Sequence, residues 1–112
     1  MNTYDTNWTK EELLIYILIY CANADHHESE IETYFIKSKI QKSNYDKLKN
    51  EFIKDSPFAR IQKIKDAYDR NQYSVNDKEE LFDDMRNLFL TDGRFSNSEQ
   101  KMFQYITNII EH

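Results

Sequence analysis

Two short acidic segments hold the residues best suited to chemistry. In LTDGRFSNSEQKMF (90–103), six residues separate Asp92 from Glu99, and in NADHHESEIE (23–32) the same interval separates Asp25 from Glu32. A carboxylate ending one helix and another in the first turn of the next can approach each other across a tight turn. Two such groups, with backbone carbonyls and water, suffice for a hard cation such as Mg²⁺, Mn²⁺ or weakly held Ca²⁺. The earlier segment adds His26, His27, Glu28 and Glu30. That mixture of imidazole and carboxylate suits Zn²⁺ or Mn²⁺.

The later segment is not an EF-hand. With Gly93 at the sixth loop position and Glu99 at the twelfth, positions one and three fall on Leu88 and Leu90, which offer no side-chain oxygen. A purely architectural reading stands beside the metal reading. Gly93 can take the left-handed conformation that ends a helix, Phe95 can anchor the loop in the core, and Ser96 with Glu99 forms a capping box.

The elements that must position these residues are helices. One glycine and one proline in 112 residues leave little material for hairpins, and apolar residues recur at helical spacing. Thr9 and Glu12 form a capping box, with Trp8 and Leu13 at staple positions, so the first helix runs from there to about Asn23. Ser29 with Glu32 opens a second helix, with Tyr34, Phe35, Ile36 and Ile40 on its apolar side. Ser43 with Asp46 opens a third carrying Leu48, Phe52 and Ile53, and Ser56 with Pro57 opens a fourth carrying Ile61, Ile64, Ala67 and Tyr68. Asn76 with Glu79 is expected to start the fifth, and Ser96 with Glu99 the sixth. KDAYDRNQYSVND (65–77) reads as a solvated linker between the fourth and fifth.

The totals agree with one domain over 1–112, long enough to bury its own core. A net charge of -5 argues against a general binder of nucleic acid or anionic membranes. The basic residues Lys37, Lys39, Lys42, Lys47 and Lys49 cluster, with acidic residues interspersed around them, as on a solvated helix face. The run LLIYILIYCANA (13–24) ends like an export-signal cleavage site, but Asp5, Glu11 and Glu12 precede it against Lys10 alone. It is also shorter than the ~20 residues needed to span a bilayer. It therefore reads as a buried helix of a cytoplasmic protein, and a single cysteine, Cys21, suits a reducing compartment.

A shift of 67 positions overlays the two ends of the chain: Leu14 meets Leu81, Leu18 meets Met85, Cys21 meets Leu88, Asp25 meets Asp92, and Glu32 meets Glu99. The expected architecture is all-α: a compact bundle of about six helices. Two pseudo-repeated hairpins, about 9–41 and 76–111, bracket a central helix pair.

The motif TDGRFSNSE (91–99), with NADHHESEIE as its first copy, resembles the signature of the TerB-like proteins. The first copy departs from that signature: His26 stands where the family favours glycine, and Glu28 where it favours an apolar residue. The resemblance implies a single TerB-like helical domain associated in bacteria with tellurite resistance and stress systems, without a defined catalytic activity. It also implies Asp25, Glu32, Asp92 and Glu99 as metal ligands, beside which Glu28 and His26 are further candidates from the first segment's own composition. No His-Pro-Asp triplet accompanies it, so a co-chaperone role of the J-domain kind gains no support.

The function expected from the sequence is a non-enzymatic module binding a divalent cation (Mg²⁺, Ca²⁺, Mn²⁺ or Zn²⁺) and another protein, with no nucleic-acid partner and no membrane insertion. A metal-free interaction or inhibitor protein using surface aromatics is the alternative. A metal-assisted hydrolase using paired carboxylates with His26 or His27 is the third reading.

Overall fold

A computed structural model describes residues 6–23, 28–39, 42–91 and 97–111, the side chains of 42 and 43 excepted. Helix α1 (Lys10–Ala22) begins where the chain offers both halves of a capping box. Thr9 Oγ1 accepts the Glu12 N–H at 3.2 Å, and Glu12 Oε1 accepts the Thr9 N–H at 3.0 Å. Such a box satisfies two amides that a helix start otherwise leaves without partners. Helix α2 (Glu30–Lys37) starts in the same way from Ser29 and Glu32. Helix α4 (Pro57–Arg70) starts from Ser56, whose hydroxyl accepts the Ala59 N–H, with Pro57 in its first turn.

Helices α3 (Lys42–Lys54), α5 (Val75–Phe89) and α6 (Asn97–Glu111) complete an all-α bundle. Two starts differ from expectation. Ser43 lies inside α3 rather than at its cap. Helix α5 is capped by Ser74 and Asp77, not by Asn76 and Glu79. Asp77 is also held by Lys10 Nζ at 2.7 Å, a long-range contact that favours this start.

Helix α1 is the centre of the bundle. Its run of Leu, Ile, Tyr and Cys is apolar on every side, and Leu13, Ile15, Tyr16, Ile17, Leu18 and Ile19 are all fully buried. It packs against each of the other five helices. Burying such a side chain stabilises the fold by about 1.5–3 kcal/mol before entropy is counted. The surrounding helices are amphipathic and supply Ile36, Leu48, Ile64, Leu81, Met85, Leu88, Phe89 and Ile106 to the same core. No helix among the described residues is long and apolar enough to cross a membrane.

The single buried tyrosine of α1 is matched by a polar chain. Tyr16 Oη donates to Asp55 Oδ2 at 2.6 Å, and Lys63 Nζ bridges Asp55 at 2.8 Å and Glu51 at 2.9 Å. Burial, and then the bond to Asp55, push the Tyr16 hydroxyl well above its ordinary pKa. It stays a neutral donor tying α1 to the α3–α4 turn.

The segment 65–77 is structured rather than a solvated linker. Its first part continues α4, and Asn71 Nδ2 reaches the carbonyl of Trp8 at 3.0 Å. Tyr68 and Tyr73 stack with centroids 4.4 Å apart. The reversal is made at Gln72, whose φ of 51° lies in the left-handed region. The tyrosines divide: Tyr16 is buried, but Tyr34 is 79% and Tyr105 48% exposed, so α2 and α6 turn these rings outward.

Candidate functional site

The two candidate corners are the connections from α1 to α2 and from α5 to α6. Asp25, His26 and His27 of the first lie outside the described residues, as do Asp92, Gly93, Phe95 and Ser96 of the second. Glu28, Glu32 and Glu99 are described.

Glu32 occupies the third position of α2. Its Oε1 accepts the Ser29 N–H at 3.0 Å, while its own N–H goes to Ser29 Oγ at 3.1 Å. Helix geometry thus fixes the carboxylate at the start of the helix, where the dipole favours negative charge. Glu99 stands in the first turn of α6. Both residues are withdrawn from solvent, Glu32 at 5% and Glu99 at 6% exposure, an uncommon position for glutamate.

Both glutamates belong to helices that pack on α1. Cys21, near the C-terminal end of α1, is buried, and its thiol is pushed up first by burial, then by the charges of Glu99 and of Glu32. The sequence pairs each glutamate with an aspartate in its own corner. In three dimensions α2 and α6 both pack on α1. The thiol itself is a protonated small hydrophobe at neutral pH, a poor nucleophile.

Glu28 has a different task. Its side chain is 5% exposed, and Lys49 Nζ donates to Oε1 at 2.8 Å. Asn23 Nδ2 donates to the same oxygen at 3.2 Å. Thr33 Oγ1 and Tyr45 Oη donate to Oε2. Burial alone would raise this carboxyl, but the bonds from Lys49, Thr33 and Tyr45 outweigh it and hold it below the ordinary range. Both oxygens are engaged in joining the α1–α2 corner to α3. The partners lie as far as 21 positions along the chain, and no local sequence pattern announces them.

The described residues therefore fit a hard cation in part. They supply two buried carboxylates, Glu32 and Glu99, whereas such ions take about six oxygens. No group of three or more His, Cys, Asp or Glu arranged to hold a metal occurs among the described residues.

Comparison with known proteins adds no relative: no family model, no curated protein and no solved structure matches this chain.

Proposed function

We propose that this chain is a non-enzymatic helical module that holds a divalent cation between its two acidic corners, in a bacterial stress system of the tellurite-resistance type. The observation that carries the cation reading is the pair Glu32 and Glu99, both almost wholly buried in the first turns of two helices that pack on α1. A cation shared by the corners would draw on both carboxylates, with Asp25 and Asp92, their partners in the sequence motif, as further oxygen donors.

This reading replaces two separate sites by one. The correspondence between the halves supports it: Lys10 and Asp77, 67 positions apart, bridge the starts of α1 and α5, and the glutamates at the same interval share nearly equal burial. The system-level assignment rests on the resemblance of 91–99 to the TerB-like signature.

The test is calorimetric titration of Mg²⁺, Ca²⁺, Mn²⁺ and Zn²⁺ into the wild-type chain and into a Glu32→Gln/Glu99→Gln variant. Glutamine keeps the capping acceptor but not the charge, so the helices persist. The expected result is one cation per chain, weakened at least ~10-fold in the variant, about 1.4 kcal/mol. Absence of binding, equal binding by the variant, or two independent cations per chain would each overturn the shared site.

A metal-free interaction protein is the second reading. It is favoured by Tyr34 and Ile31 on one side of α2, 79% and 55% exposed, because aromatic side chains dominate interface energetics. Retention of a partner in the presence of chelator would select it.

A further inference from the structure

At the opposite end of α1 from Cys21, a cleft of about 260 Å³ opens between α1 and α5. Leu14 and Leu81 are among its lining residues, with Leu81 3% exposed and Leu14 partly buried against the core. Two lysines of the lining sit on aspartates: Lys10 Nζ lies 2.7 Å from Asp77, and Lys39 Nζ lies 3.3 Å from Asp84. The lining also carries Glu11 and Glu80. Neither glutamate has an ion pair among the described residues; Glu80 accepts only from Asn76 Nδ2, at 3.3 Å.

We propose that this cleft docks a basic amphipathic segment of another protein, placing an apolar side chain on Leu14 and Leu81 and flanking Lys or Arg side chains against Glu11 and Glu80.

Three observations select that occupant. The lining has four carboxylates against two ammonium groups, so it attracts a cationic partner and repels nucleic acid or an acidic membrane. The cleft already shows how it receives an ammonium group: Lys10 Nζ rests 5.4 Å from the Tyr73 ring centre while bonded to Asp77. That combination of aromatic face and carboxylate is favourable for a Lys or Arg side chain. Finally, 260 Å³ lies just below the ~300–1,000 Å³ usual for small-molecule pockets. It suits a side chain presented by a peptide lying along the surface better than an enclosed metabolite. The proposal is independent of the cation reading, because none of these residues belongs to the acidic corners.

The test uses a short fluorescein-labelled peptide of Lys-Lys and Leu-Leu pairs, with Glu-for-Lys and Ser-for-Leu copies as controls. Fluorescence anisotropy is read on the full chain, with chelator present so that the cation site plays no part. The expected result is saturable binding that falls as salt rises and is weakened for the Ser-for-Leu copy. Charge reversal by Glu11→Lys with Glu80→Lys should weaken binding at least ~10-fold. The matched reversal Asp69→Lys with Glu79→Lys, away from the cleft, should leave it nearly unchanged. All four sites are on the surface, and circular dichroism melting verifies that each variant is folded. The idea is overturned by absence of binding, by equal binding of the Glu-for-Lys copy, or by equal weakening in both reversed pairs. It is also overturned if sedimentation shows the wild-type chain pairing with itself through Glu11 and Glu80, which would make a second copy the occupant.

Discussion

The α1–α2 and α5–α6 corners place a buried glutamate in the first turn of the following helix, but they are attached to the bundle by different physics. At the first corner Ala22 ends α1, and the attachment is polar: Glu28 gathers donors from Asn23, Thr33, Tyr45 and Lys49. At the second, Phe89 ends α5 and is fully buried, with its ring 6.5 Å from that of Phe103, which in turn lies 6.0 Å from Phe82. Ala22 and Phe89 are counterparts under the 67-residue shift, as are Glu28 and Phe95. The first corner therefore has small and ionic residues at positions where the second has aromatic ones. An aromatic attachment is insensitive to pH and salt, whereas an ionic one is not. The comparison teaches that one local motif can be carried by two kinds of support, an ionic one around Glu28 and an aromatic one around Phe89.

The largest test of this contrast is Phe89→Ala. Removing a fully buried ring from the second corner should cost about 3–5 kcal/mol in urea denaturation. The loss should be the same from pH 4 to pH 7 within about 0.5 kcal/mol, since no charge is involved. A loss that varied with pH across that range would break the distinction.

Glu28→Gln should cost about 2 kcal/mol at neutral pH, below the ~3–5 kcal/mol of a fully buried pair, because the Lys49 side chain is 25% exposed. The sign of its pH dependence follows from the lowered carboxyl of Glu28. A carboxyl lower in the folded state stabilises the fold above its ordinary value, and that contribution disappears as pH falls through the folded value. The gap between wild type and Glu28→Gln should therefore close in acid. A gap that persisted there would mean the tether is not ionic.

The smallest effect belongs to Thr91→Val. Thr91 Oγ1 donates to the carbonyl of Leu88 at 2.8 Å, a local polar contact at the second corner. Its loss should cost only about 0.5–1 kcal/mol. A cost equal to that of Glu28→Gln would show that polar contacts matter equally at both corners.

Much of the architecture is legible in the sequence because helix starts are local events. Thr9 with Glu12, Ser29 with Glu32, and Ser56 with Pro57 announce their helices through groups within three positions of each other. Helix α5 shows the limit. Ser74 with Asp77 and Asn76 with Glu79 are overlapping candidates, and the choice is tipped by Lys10, a residue 67 positions earlier. The same limit applies to the site. The sequence identifies Glu32 and Glu99 as special, yet it cannot show that both are buried, because that depends on how α2 and α6 pack on α1. Glu28 was placed among possible ligands by its neighbours in the chain, whereas its described partners include Tyr45 and Lys49 from another helix. The outward turn of Tyr34 was hidden by an apolar pattern that α2, only eight residues long, satisfies mainly with Ile36.

The position of α1 has a further consequence for how the chain reaches its native state. The most apolar helix is made early, but the surfaces that cover it come from all five later helices, including α6 near residue 111. During synthesis part of its apolar surface stays uncovered until α6 has emerged, so earlier intermediates expose side chains that the native fold hides. A fragment lacking α6 leaves α1 without one of its five neighbours.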